Sequence, residues 1–132
     1  MTALFILTRR ALLAVAAGLM LVALPAAAGT PFDPAAFEAA QAAGKSIVVE
    51  VTAPWCPTCK QQKPIVQSLM ESPEHKSTLL VTVDFDSQKD VLKRFNVQRQ
   101  ATFVVFKGKD ERGRSTYDTN ADSIKALFAK AL

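Results

Sequence analysis

Cys56 and Cys59 are the chain's only cysteines, two residues apart, and they stand where a β-rich run gives way to a helical one. The run is Ile47-Val48-Val49-Glu50-Val51. Beyond the turn Ala53-Pro54-Trp55, residues Ile65, Val66, Leu69 and Met70 recur at helical spacing. No other feature constrains the chain as much. Three positions apart at a helix start, the two Cβ atoms come within bridging distance. The free N–H groups and positive dipole of a helix tip favour a thiolate at the first position. In such pairs the first thiol's pKa falls from about 8.5 to about 3.5–7. A thiolate attacks disulfides, and the second cysteine, expected to be the more buried, would resolve the mixed disulfide. Two other readings stay open. A structural bridge here closes a tiny loop and stabilises little. A zinc site needs about four ligands, and only His75 offers a further soft donor.

The remaining elements read as follows. Asp33-Pro34 caps and opens a helix that Gly44 stops. The cysteine helix runs from Lys60 to about Glu71, with Pro64 inside it, and Ser72-Pro73 ends it. Leu79 to Phe85 is a strand, Ser87 to Phe95 a short helix, and Thr102 to Phe106 the most β-prone stretch of the chain. A turn at Gly108 leads to a last strand around Arg112 to Tyr117. Thr119-Asn120-Ala121-Asp122 has the form of a capping box for a final helix burying Ile124, Leu127 and Phe128. A βαβ half followed by a ββα half predicts an α/β fold with one mixed central sheet of about four strands, flanked by helices.

Trp55-Cys56-Pro57-Thr58-Cys59-Lys60 resembles the active site of the thioredoxin family. Glu50 stands where that family carries a buried acid, as Glu rather than Asp, and Pro64 where it carries a helix-kinking proline. The likeness extends from Phe32 to Leu132. It implies a thioredoxin-like fold and thiol:disulfide oxidoreductase activity, with Cys56 attacking, Cys59 resolving and Glu50 moving the Cys59 proton. An unpaired carboxyl in an apolar strand is costly to ionise, so its pKa should rise, which suits that role. Substrate contacts are expected from Trp55, Pro57, Thr58, Ala101 and Thr102, while Lys60 is read as solvated. The chain departs from the family at Gln100-Ala101-Thr102, where Ala101 replaces a cis-proline. A cis bond before Ala costs about 3 kcal/mol more than before Pro, so a trans bond is expected. Tyr117 occupies a position where many members have glycine, and either crowds the groove or contacts substrate.

Met1 to Ala28 holds 22 apolar residues, Arg9 and Arg10, and no acid. A positive flank, an uncharged run from Ala11 to Leu24, Pro25 and an Ala26-Ala27-Ala28 tail form the pattern of a secretory signal cut after Ala28. An uncleaved anchor is the alternative. Residues 29–132 would then form one domain facing a disulfide-permissive space, read as a bacterial periplasm. They carry 14 basic and 12 acidic side chains, which leaves no basic stripe for nucleic acid. A monomer without cofactor or resident metal is expected. Pro57 is reminiscent of periplasmic disulfide-forming oxidases, but the helical insertion of those proteins has no room here. The resemblance therefore implies a small exported reductase, serving cytochrome c maturation or disulfide repair. Its partners would be cysteine-containing exported proteins and a membrane thiol electron carrier. A soft-metal module holding Cu(I) on the cysteine pair is the reading from a different class.

Overall fold

A computed structural model describes residues 29–132. The leader reading of residues 1–28 and the cut after Ala28 lie outside the described residues. Strand β1 is Thr30–Pro31, α1 Pro34–Ala42, β2 Ser46–Thr52, α2 Pro57–Glu71, β3 Leu79–Asp84, α3 Lys89–Arg94, β4 Thr102–Lys107, β5 Asp110–Thr116 and α4 Ala121–Ala129. A 3-10 turn, Pro73–His75, follows α2. The sheet order is β1-β3-β2-β4-β5. Strands β1, β3 and β2 are parallel, and β4 and β5 run antiparallel to their neighbours. The expected sheet of about four strands thus gains a fifth. Thr30–Pro31 is too short to carry an alternating pattern, and it is a strand only because it pairs with Val81 and Thr82.

Strand β2 lies at the centre of the sheet and is covered on both faces, which is why its apolar run is nearly continuous. Side chains alternate across it. Ile47, Val49 and Val51 join Phe37, Leu92, Phe95 and Phe106 beneath α1 and α3. Val48 joins Phe103, Val66, Ile124 and Phe128 beneath α2 and α4. The same alternation sends Glu50 to the α2 side, toward the helix that carries the cysteines. Phe103 and Phe128 meet edge to face at 5.2 Å, and both are essentially inaccessible to solvent. Burial of each ring contributes about 2–3 kcal/mol.

Caps set the helix ends. The Asp33 carboxylate accepts from the Ala36 N–H at 2.7 Å, with Pro34 in the first turn. Gly44 takes φ +67° just beyond α1. Two boundaries differ from expectation. Helix α2 begins at Pro57 rather than Lys60, because proline suits a first turn whose N–H groups have no helical partner. Helix α4 is capped by Asn120, whose side chain accepts from the Ser123 N–H at 2.9 Å, and not by Thr119. Asp118 reaches the same turn by accepting from the Ser123 hydroxyl, so the Thr119–Asp122 box does not form. Among the described residues no helix is long and apolar enough to cross a membrane.

Candidate active site

Cys56 is itself the N-cap of α2. Its backbone is extended at φ −81°, ψ 111°, and its Sγ accepts from the Cys59 N–H at 3.1 Å. The helix tip therefore directs a backbone donor and the positive dipole end at this sulfur, the arrangement that stabilises a thiolate. The Cα atoms of Cys56 and Cys59 are 5.3 Å apart and the two residues are joined as a disulfide. One expectation is reversed. The spacing makes Cys59 the expected deeper residue, yet in this oxidised form Cys56 is 0% exposed and Cys59 8%. Ala53 and Ala101 pack with the pair as a small buried cluster. The Ala101 part of that cover comes from 45 positions away, so helix spacing did not report it.

Glu50 sits in mid-strand, paired with Thr82 of β3 and Phe103 of β4. It lines a cavity of about 300 Å³ together with Cys59, Lys63, Thr82 and Gly29. Burial pushes its carboxyl above the usual value. A hydrogen bond donated by the Thr82 hydroxyl at 3.0 Å, and the Lys63 ammonium, partly oppose the shift. In its ionised form, a carboxylate whose affinity for a proton is raised in this way, and which lines the same cavity as Cys59, can take up that thiol's proton.

Trp55 is 55% exposed. Its indole N–H donates to Asp86 at 2.7 Å and its ring stands edge-on to Phe85, so the exposed ring next to Cys56 is held in one orientation. Pro57 and Lys60 are exposed and Thr58 half-buried along the first turn of α2. Ala101 is fully buried with φ +54°, and no peptide bond among the described residues is cis. The loop has relaxed to trans by placing alanine in the left-handed region. Thr102 is buried, and its hydroxyl donates to the Arg99 carbonyl at 2.8 Å. Its single proton is thereby engaged, so the Thr116 hydroxyl is the donor in their 2.9 Å contact. The Thr102 side chain braces the loop from within. Tyr117 is 47% exposed and also left-handed, at φ +61°.

His75 does not join the cysteines. It packs edge-on against Phe128 and contacts Thr78 beyond the far end of α2, a helix whose 15 residues span about 22 Å. The zinc reading loses its third ligand. Among the described residues no group of three His, Cys, Asp or Glu side chains could hold a metal ion.

Sequence reasoning passed over four residues of this site. Asp86 anchors Trp55, Thr82 holds Glu50, and Lys63 adds charge to the cavity. Gln62 is 4% exposed and donates to the Ala101 carbonyl at 3.2 Å and the Asp118 carbonyl at 2.8 Å. One signal was available: Gln62 lies three residues after Cys59, on the face of α2 that also carries Val66 and Met70.

The sequence profile of the thioredoxin family matches residues 30–130. A thioredoxin H-type of Brassica campestris is 38% identical over 74 residues, which are 56% of this chain and 58% of that protein. Human thioredoxin is 39% identical over 92 residues, 69% of this chain and 85% of its own length. The crystal structure of Trxlp from Edwardsiella tarda EIB202 superposes with a TM-score of 0.74 at 33% identity, covering 76% of this chain and 98% of that one. The chain thus spans less than two thirds of the plant relative's length. With its cysteine pair at the tip of α2, its mixed sheet and this profile match, the chain belongs to the thioredoxin family, whose members are thiol:disulfide oxidoreductases.

Proposed function

We propose that the chain is an exported thiol:disulfide oxidoreductase that works as a reductase of cysteines in exported proteins. The observation that carries the exchange chemistry is the N-cap position of Cys56, with a backbone N–H directed at its sulfur and Cys59 already within bonding distance. In the reduced chain the Cys56 thiolate attacks one sulfur of a substrate disulfide. An S–S bond forms between Cys56 and substrate, and the other substrate sulfur leaves as a thiol. Cys59 gives its proton toward Glu50 and attacks the Cys56 sulfur. The second substrate thiol is released and the Cys56–Cys59 bond closes. Two electrons pass from the chain to the substrate, and a thiol donor, in the periplasm a membrane carrier, returns them.

The direction of electron flow rests on the small size of the domain and on the family resemblance; the periplasmic address rests on the leader pattern. Equilibration of the purified chain against glutathione buffers tests the direction. A potential near about −270 mV, typical of thioredoxins, supports the reductase; one near about −120 mV overturns it in favour of disulfide formation. Cleavage of insulin disulfides with a thiol donor, run beside a Cu(I) titration, separates the enzyme from a metal carrier. Fractionation of cells producing the full chain, with mass spectrometry of its N-terminus, tests export and a start at Gly29.

A further inference from the structure

Cys56 is the sulfur that a helix tip activates, yet nothing of it reaches solvent in the oxidised form. Part of its cover is Ala101, itself fully buried and packed with the pair. Alanine at φ +54° is held in a conformation that it disfavours, and so is Tyr117 at φ +61°. Something must hold both. The Tyr117 N–H donates to the Ala101 carbonyl at 2.9 Å, which ties the two left-handed residues together. The side-chain amide of Gln62 then donates one proton to that carbonyl at 3.2 Å and the other to the Asp118 carbonyl at 2.8 Å. Both partners are acceptors, so the amide's NH₂ end must face them. Gln62 rides on α2, one turn beyond Cys59, and the carbonyls it grips are 39 and 56 residues away. A leucine here offers no donor, and a lysine brings a charge to a buried position.

We propose that Gln62 is a positioning residue that holds the Ala101 loop over Cys56 by tying it to the Tyr117–Asp118 loop, making the disulfide slow to yield to small thiols. This rests on the exchange chemistry of the Cys56–Cys59 pair and not on the reductase direction or the cellular address. The clamp selects partners large enough to engage the groove loop and displace it. Small thiols make no contact that offsets the loss of the two Gln62 hydrogen bonds, one buried and one part-buried.

Gln62→Met keeps length and removes both donors. The oxidised protein is mixed with excess dithiothreitol. One dithiothreitol sulfur bonds to Cys56 as the Cys56–Cys59 bond breaks. Its second thiol then closes the ring, leaving two cysteine thiols and oxidised dithiothreitol. The reaction is followed by Trp55 fluorescence. The loss of the two Gln62 hydrogen bonds, at least one of them buried, predicts reduction about tenfold faster than in the native chain. Hydrogen exchange is read in parallel. The Tyr117 amide should lose protection while Val104 and Val105, in the centre of β4, keep theirs. Unchanged Tyr117 protection overturns the clamp. Lost Tyr117 protection with an unchanged reduction rate overturns the closure of Cys56. Gln62→Leu, of different shape, repeats both readings should the Met variant also lose protection at Val104 and Val105; general loss in both variants makes Gln62 a core residue and overturns the proposal. No physiological partner enters the assay, so a failed reductase reading would leave its outcome intact.

Discussion

Tyr117→Gly, compared with Tyr117→Ala, isolates the backbone strain beside the disulfide. Tyr117 sits at φ +61°, where a side chain with a Cβ costs about 1–2 kcal/mol. Glycine removes that cost but makes the unfolded chain looser by about 0.4–1 kcal/mol. Both variants lose the same half-exposed ring, so their difference contains only the backbone contribution. Glycine should therefore be the more stable by about 0.5–1 kcal/mol, a melting point about 2–8 °C above that of the alanine variant. Thermal and urea unfolding measure this, with equal urea slopes confirming that the unfolded surface is the same. Ala101→Gly is the contrast. Its φ of +54° is similar, but its methyl is wholly buried against the cysteines, and losing it costs about 0.8 kcal/mol. That substitution should be nearly neutral. A Tyr117→Gly protein no more stable than Tyr117→Ala would refute the strain argument, and with it the need for a clamp at Gln62.

Burial raises the Glu50 carboxyl, so the folded chain holds that proton more tightly than the unfolded one, whose value is near 4.5. The associated stability is fully present below 4.5 and is lost as the pH rises through the folded value. Glu50→Gln should therefore be more stable than the native chain at pH 7–8, with the advantage vanishing below pH 4.5; urea unfolding across that range checks it, and a constant offset would count against it. The same variant should release substrate from the mixed disulfide more slowly in stopped-flow single turnovers, and equal rates would remove Glu50 from proton transfer. Cys56→Ser should abolish exchange with insulin, whereas Cys59→Ser should accumulate mixed disulfides visible by non-reducing electrophoresis. Burial holds His75 below its ordinary 6.5, and its Nε2 has no hydrogen-bond partner among the described residues. Its contribution is present above pH 6.5 and is lost as the pH falls through the lower folded value, so His75→Phe should flatten the stability profile below pH 6.5.

Local chemistry already written in the chain determined a good deal. Pro34 and Pro57 open helices, Asp33 caps one, and the apolar runs at β2 and β4 read as strands because such stretches fit a sheet covered on both faces. The cysteine spacing by itself placed two sulfurs at one helix tip, and a carboxyl in an apolar strand announced its own raised pKa. What only the tertiary structure decided depends on contacts between distant segments. Thr30–Pro31 became a strand by finding Val81 and Thr82. Cys56 became the more deeply covered of two buried cysteines in a cluster that includes Ala101, 45 positions later. Gln62 acquired its role only where the fold brought two loop carbonyls to its amide. The reason is range: capping, propensity and spacing act within a few residues, whereas burial and hydrogen-bond partners are set by whichever strands and loops the sheet order makes neighbours.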